Sequence, residues 1–326
     1  MRNALSIALL AAAAFAAVPI SVQAQPAPYP AKPIKLLVGF APGGAADYVA
    51  RTVGDSLGRA LGQTIVIENR AGAGSSIAAE AASKAAPDGY TLLIASPSSI
   101  SVNPALNPKL NYSAKDLSPI TKVTSSPLVI AASMQSGITS VSDLIAKAKK
   151  APGSLNYATS GNGSAPHLGA ALFSRVAGVQ MVHIPFKGGS PAIQSVIAGD
   201  TQLTFGTPPS VLPMVQAGRL KGLGVSTKER TPLFPDLPGM TEAGLPDYAI
   251  EFWYGFFVPA NTPQAIVKKI FDATQVAMQQ PSVKAALARE GTEVSVSASP
   301  EAFASFLTED AKFWVKLVKE AGVKGE

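Results

Sequence analysis

Ile34-Lys35-Leu36-Leu37-Val38-Gly39-Phe40, then Ala41-Pro42-Gly43-Gly44, then Ala45-Ala46-Asp47-Tyr48-Val49, is the stretch that decides the fold. The apolar run reads as a buried strand. Ala41 to Gly44 must turn the chain. A helix follows from about Ala45, because Val49, Val53, Leu57 and Leu61 recur every four residues and make one apolar face. Arg51 with Asp55, and Asp55 with Arg59, have the spacing of ion pairs on the other face, and Gly62 stops the helix. This is a strand–turn–helix unit, and it repeats. Thr64–Glu68 is a second strand, Ser75 and Ser76 are positioned to cap a helix over 77–86, and Tyr90–Ala95 is a third strand. Strands alternating with helices predict a parallel sheet with right-handed crossovers.

The pattern starts again further on. Leu128–Ala132 reads as a strand, and Ser140 with Asp143 three residues later has capping-box spacing. Leu155–Ala158 is a strand that runs into Thr159-Ser160-Gly161-Asn162-Gly163-Ser164, a second loop of small residues before a helix over 166–177. Val182–Phe186, Gln202–Phe205 and Leu220–Ser226 are further strands, and Ser190-Pro191 has the form of an N-cap and first helical residue. Beyond Pro246 an aromatic extended segment, Tyr248–Val258, precedes helices opened by Thr262-Pro263 and Ser299-Pro300. The last helix sets Phe303, Phe306, Leu307, Trp314, Leu317 and Val318 on its buried side. These C-terminal helices have too little strand to form a domain and are expected to pack on the first sheet.

The expected architecture is therefore α/β in two lobes, each a mainly parallel sheet flanked by helices, with a cleft between them. Lobe 1 is 25–126 plus 249–326, lobe 2 is 127–248, and the chain crosses near 121–127 and 247–254. Paired crossovers predict a hinge.

Composition narrows the chemistry. Of 326 residues, none is cysteine and only His167 and His183 are histidine, which excludes thiolate catalysis, disulfides and cysteine-held metals. Charged residues are 15%, well below the usual quarter or so. The net charge is +6, yet no Lys/Arg run exceeds two residues, as at Lys149-Lys150, so nucleic acid is not an expected partner. Met1-Arg2-Asn3, an uncharged run from Ala4 to Val18, Pro19, and Val22-Gln23-Ala24 read as a secretory signal peptide over 1–24, too Ala-rich and short for a membrane anchor. The mature chain is expected to be exported, soluble and monomeric.

The two loops are the candidate site. Each joins a strand to a helix N-terminus and neither is charged before Asp47. Small residues let a ligand reach backbone N–H groups, and a helix N-terminus favours a carboxylate. Phe40, Pro42, Gly43, Gly44, Ala45, Ala46 and Asp47 form the candidate set in lobe 1, with Ser96 and Ser98 after the third strand. Thr159, Ser160, Gly161, Asn162, Gly163, Ser164 and His167 form it in lobe 2, with Phe186, Lys187, Gly188, Phe205, Gly206 and Thr207. His167 is read mainly as ordering its loop, and His183 as structural. Most of the aromatics, at the strand ends and over 252–257 alike, are read as core, and strand-end Phe40, Phe186 and Phe205 are also placed where a cleft could use them to clamp a flat ligand body. Phosphate-loop, dinucleotide, nucleophile-elbow and zinc-protease motifs are all missing, so neither an enzyme nor a cofactor is expected.

Several segments together resemble the tripartite tricarboxylate transporter receptors, also called Bug-type or TctC-like solute-binding proteins. They are Phe40–Gly44, Ile67-Glu68-Asn69-Arg70-Ala71-Gly72-Ala73-Gly74, Ala86-Pro87-Asp88-Gly89-Tyr90-Thr91-Leu92-Leu93, Tyr157–Ser164, His183-Ile184-Pro185-Phe186-Lys187-Gly188 and Gly255–Ala260. The resemblance implies a type II periplasmic binding fold that closes on a small organic carboxylate and delivers it to membrane permease subunits. It also implies that the Gly43-Gly44 and Ser160–Ser164 loops grip the carboxylate. This chain departs from the family in having Phe186 where Tyr is frequent and Gly206 where Asp is frequent. The less polar cleft points to a ligand without an amino group, an aromatic mono- or dicarboxylate such as terephthalate. An aliphatic di- or tricarboxylate, and a role in presenting ligand to a membrane sensor, are the alternatives.

Overall fold

A computed structural model describes residues 28–320, and the expected signal peptide lies outside them. The first strand–turn–helix unit forms as β1 (Ile34–Val38) and α1 (Ala45–Leu61). Val49, Val53 and Leu57 are fully buried, each worth about 1.5–3 kcal/mol on burial. Gly62 closes α1 in the left-handed conformation, its N–H directed at the carbonyls of Arg59 and Gly58. The expected pairs with Asp55 do not form. Arg51 turns back to Asp47, and Arg59 donates to Ser56 Oγ at 2.7 Å. A buried carboxylate one turn earlier outcompetes an exposed one.

Next come β2 (Ile65–Asn69), α2 (Ser76–Ser83), β3 (Thr91–Ala95), the short α3 (Asn103–Leu106) and β4 (Leu117–Pro127). Ser75 occupies the N-cap position of α2 with φ 78°, and its side chain does not cap the helix. The second region holds β5 (Val129–Ser133), α4 (Val141–Lys150), β6 (Asn156–Thr159), α5 (Ala165–Ala177), β7 (Val182–Pro185), α6 (Gly189–Ala198), β8 (Leu203–Gly206), α7 (Pro208–Gln216) and β9 (Leu220–Val225). Ser140 caps α4 as expected, accepting from Asp143 N–H at 3.0 Å. Helix α6 begins earlier than the Ser190-Pro191 signal indicated, with Gly188 as its N-cap. The chain ends with β10 (Glu251–Pro259), α8 (Gln264–Gln279), α9 (Pro281–Arg289), β11 (Glu293–Val294) and α10 (Pro300–Glu320).

Among the described residues the strands make a six-stranded sheet, β11-β4-β10-β3-β1-β2, and a five-stranded sheet, β7-β6-β8-β5-β9. Both are mixed, a correction to the mainly parallel expectation. Only β1 with β2 and β3, and β6 with β7 and β8, pair in parallel. The strands flanking the passages between sheets, β4, β5, β9 and β10, pair antiparallel with their neighbours. A chain that leaves a sheet and returns to it beside its point of departure must run back along itself.

The passages themselves meet at Ser226, which is fully buried. Its N–H donates to Leu128 O at 2.9 Å, and its Oγ accepts from Leu128 N–H at 2.7 Å. On its other side its carbonyl accepts from Ile250 N–H at 3.0 Å, and its Oγ donates to Ile250 O at 2.5 Å.

Helix α10 packs on the first sheet, with Phe303, Trp314, Leu317 and Val318 buried and Phe306 partly exposed. Asp310 accepts from the indole N–H of Trp253 and of Trp314, each at 3.0 Å. Burial pushes its carboxyl up to about 6, against those indole bonds and Lys122. Among the described residues, no helix is long and apolar enough to cross a membrane.

Replacing Ser226 by Ala strands a buried N–H of Leu128 and a buried carbonyl of Ile250. The expected cost is about 1–3 kcal/mol in urea unfolding. A variant as stable as the parent would show that the residue is not the staple described.

Candidate functional site

The carboxyl ends of the parallel strands in both sheets face one another across the cleft. In open α/β sheets this is where ligands bind. An inner pocket takes Phe40, Gly44, Ala45 and Ala46 from the loop and first turn of α1, with Phe252 and Tyr254 from β10. The second region supplies Ser160, Ala165, Pro166, Gly189, Ala192, Ile193, Thr204, Gly206, Thr207 and Ser210. No charged side chain lines it. An outer pocket, wider than the inner one, shares Phe40 and Ser160 with it. It adds Gly72, Ala73, Gly74, Ser75, Gly161, Asn162, Pro185, Phe186, Lys187 and Pro191. Lys187 is the one basic residue on that wall.

Four helices start at the inner pocket, and they differ in what they offer. Helix α5 has Pro166 at its second position, α6 has Pro191 at its third, and α7 opens with Pro208-Pro209. Each proline removes an N–H from a first turn. Helix α1 has none, so Ala45, Ala46 and Asp47 keep the free N–H groups of a helix start.

Asp47 does not line either pocket. It is 4% exposed and holds the loop from behind. Its carboxylate accepts from Gly43 N–H, Arg51 Nε and Asn69 Nδ2, each at 2.9 Å, and Asn69 also donates to Phe40 O at 3.1 Å. Burial works to raise the carboxyl, but the Arg51, Gly43 and Asn69 hydrogen bonds outweigh it, and the group is held below its ordinary range. Asp47 is thus a positioning residue for Gly43 and Gly44.

The second loop is held without charge. Thr159 is fully buried, its Oγ1 accepting from Gly161 N–H at 3.2 Å and lying 2.6 Å from His183 Nε2. Gly163 N–H donates to His167 Nδ1 at 3.1 Å. The two imidazoles stack with centroids 3.8 Å apart and planes within 10°, and Tyr157 stacks on His183 at 5.2 Å. Burial pushes His167 down to about 3, with the neighbouring His183 adding to it, and burial pushes His183 down to about 4. Both rings are therefore neutral at pH 7. His167 orders its loop, as the sequence indicated, and His183 is joined to the same task.

Other expected residues take other places. Phe205 is fully buried against Tyr157 and Phe173, so it belongs to the core and clamps nothing. Ser96 and Ser98 are buried after β3, outside both pockets, and their hydroxyls have no hydrogen-bond partner among the described residues. Ser164 Oγ is likewise buried without a partner. Pro42 and Gly188 lie where the two lobes touch. Phe252 and Tyr254, read as core, line the inner pocket. Period-two alternation in β10 puts these two on one face and Trp253 on the other, towards α10. Thr204, Ile193 and Ser210 carried no sequence signal, since each is an ordinary strand or helix residue aimed inward by the fold.

Two lobes about a cleft whose inner pocket is uncharged, with helix N-termini at its walls, define a periplasmic-type solute-binding protein. Residues 49–323 match the tripartite tricarboxylate transporter family receptor, and the chain belongs to that family. It is 34% identical over 320 residues to protein BugT of Bordetella pertussis (strain Tohama I), covering 98% of this chain and 97% of BugT. An R. palustris protein solved with adipate superposes with a TM-score of 0.87 at 31% identity, over 91% of this chain and 99% of that one. MatC from Rhodopseudomonas palustris with bound malate gives 0.84 at 32% identity, over 89% and 100%. The family is one of solute-binding receptors for small carboxylates, not of enzymes.

The buried histidines set a pH dependence. Their folded pKa values lie below the unfolded value of about 6.5, so the unfolded chain takes protons first on acidification. The stability they permit is full above about pH 6.5 and is lost as pH falls toward 4, whereas Asp310 acts in the opposite sense. His183→Gln removes one titrating ring. Its cost in urea unfolding should be smaller at about pH 4.5 than at about pH 7.5. An equal cost at both would contradict a neutral His183.

Proposed function

We propose that the protein is a periplasmic receptor, exported by residues 1–24, that captures a small organic carboxylate by lobe closure and hands it to a membrane permease. Lobe 1 is 25–126 with 249–326, lobe 2 is 127–248, and Ser226 stands at the hinge. The proposed ligand is an aromatic mono- or dicarboxylate such as terephthalate. The observation that carries this reading is the uncharged inner pocket with one uninterrupted helix N-terminus, α1, at its wall.

A carboxylate at Gly44, Ala45 and Ala46 meets N–H groups and the positive end of the helix dipole. Ser160, Thr207 and Ser210 add hydroxyls from the facing wall. The ligand body then lies among Phe40, Ala165, Ile193, Phe252 and Tyr254, which suits a flat apolar ring. Gly206 supports the absence of an amino group. A methyl group added there would fall 2.3 Å from Val211 Cγ2, so an acidic side chain has no room unless Val211 shifts. The adipate-bound relative favours a dicarboxylate, and terephthalate holds its carboxyls about as far apart as adipate does. Lys187 in the outer pocket is available to the second carboxyl. The malate-bound relative favours the aliphatic alternative.

Calorimetry with terephthalate, benzoates, adipate, malate, citrate and aspartate separates these readings. The expected result is tight binding of an aromatic acid. Tight citrate or aspartate binding with no aromatic binding would sink the ligand assignment. Gly44→Asp places negative charge where the first carboxyl is proposed to sit and Gly161→Asp places it on the outer-pocket wall proposed for the second, and each should weaken binding of a dicarboxylate by at least ~100-fold. Unchanged affinity in both variants would remove these loops from the site.

A further inference from the structure

The two lobes touch main chain to main chain at two separate places beside the pockets. At the first, Ala41 N–H donates to Lys187 O at 3.4 Å, and Ser190 Oγ donates to Pro42 O at 3.4 Å. A methyl group added at Gly188 would lie 2.8 Å from Ala41 Cβ and 3.0 Å from Ala41 N. At the second, a methyl group at Gly74 of lobe 1 would lie 2.3 Å from the carbonyl oxygen of Asn162 in lobe 2. One at Gly163 of lobe 2 would lie 2.3 Å from Asn103 Oδ1 in lobe 1.

Asn103 is 7% exposed and is held from three sides. Its Nδ2 donates to Ala73 O at 3.1 Å, Gly74 O at 2.8 Å and Ser76 Oγ at 2.8 Å. Its amide thereby fixes the turn that carries Gly74 and aims Oδ1 at Gly163. On the facing side His167 fixes Gly163 through its N–H. Both halves of this contact are anchored within their own lobe, and each meets the other through a glycine. Such surfaces fit only in one register, because neither has a flexible side chain to absorb an error.

We propose that Gly74, Asn103 and Gly163 are positioning residues for ligand capture. They form a latch that, together with the Ala41–Gly188 contact, admits only one closed arrangement of the lobes. One contact alone leaves a twist about the line joining it to the hinge; the second removes it. The proposal rests on closure about the Ser226 hinge but not on which acid binds.

The chain has no cysteine, so closure can be read by a disulfide placed at the first contact. In an Ala41→Cys, Gly188→Cys protein the side chains reach disulfide spacing, about 3.5–4.5 Å between Cβ atoms, with an opening of about 1 Å. Oxidation of the purified full chain, without added acid, is followed by mass and by gel mobility. Gly163→Ala or Gly74→Ala in this background should slow cross-linking by at least ~10-fold while unfolding stays cooperative. Gly178→Ala is the control. Gly178 has φ +64°, close to the +67° of Gly163, but nothing lies within 4 Å of its added methyl group. It shares the backbone strain without the contact between lobes and should cross-link at the parent rate. Equal rates in all variants, slowing by Gly178→Ala to the same extent, or no cross-link in any protein would each overturn the latch. Failure of every tested acid to bind would leave the cross-linking result intact and count only against the ligand assignment.

Discussion

Ser226 holds both passages of the chain between the lobes. Through backbone and hydroxyl it bonds to Leu128 on one side and to Ile250 on the other. The two passages are thereby tied to each other at one buried point. The facing strand ends, the two loops and the glycine contacts are arranged around that tie.

The two loops solve the same mechanical problem by different chemistry. In lobe 1 a buried carboxylate, Asp47, gathers Gly43, Arg51 and Asn69. In lobe 2 a threonine and two stacked neutral imidazoles do the equivalent work. In neither case does a formal charge enter the inner pocket. An anion placed there would face fixed N–H dipoles rather than a counter-ion, so no ammonium or guanidinium would have to be stripped of water to receive it. Selectivity is then left to shape and to the apolar walls.

Much of this was legible in the sequence because it depends on local rules. The apolar period of α1, the glycine after it, the cap at Ser140 and the small-residue loops are decided within a few residues of themselves. What was misread depends on partners distant in sequence. The pair of Arg51 with Asp55 obeys helix spacing, but Asp47 is buried by β2 and wins. Ser75 has the chemistry of a cap, yet its backbone is bent into a turn held by Asn103, twenty-eight residues on. Phe205 is wholly core, and Phe252 is core on one side while it lines the pocket on the other, since each strand has two faces and only the assembled sheet says which one the cleft occupies. The direction of β4 and β10 follows from the return of the chain to its starting sheet, which no local pattern records.

The arrangement at Asp310 has an optical consequence. The two tryptophans of the chain share this one carboxylate and lie on the same lobe. Trp253 sits in β10 between Phe252 and Tyr254, the two residues of that strand that line the inner pocket. Indole emission from the native protein is thus a signal from a single place, one residue removed from the wall of the inner pocket and beside the carboxylate that both rings share. The chain carries its own dye, already attached to a strand that borders that pocket.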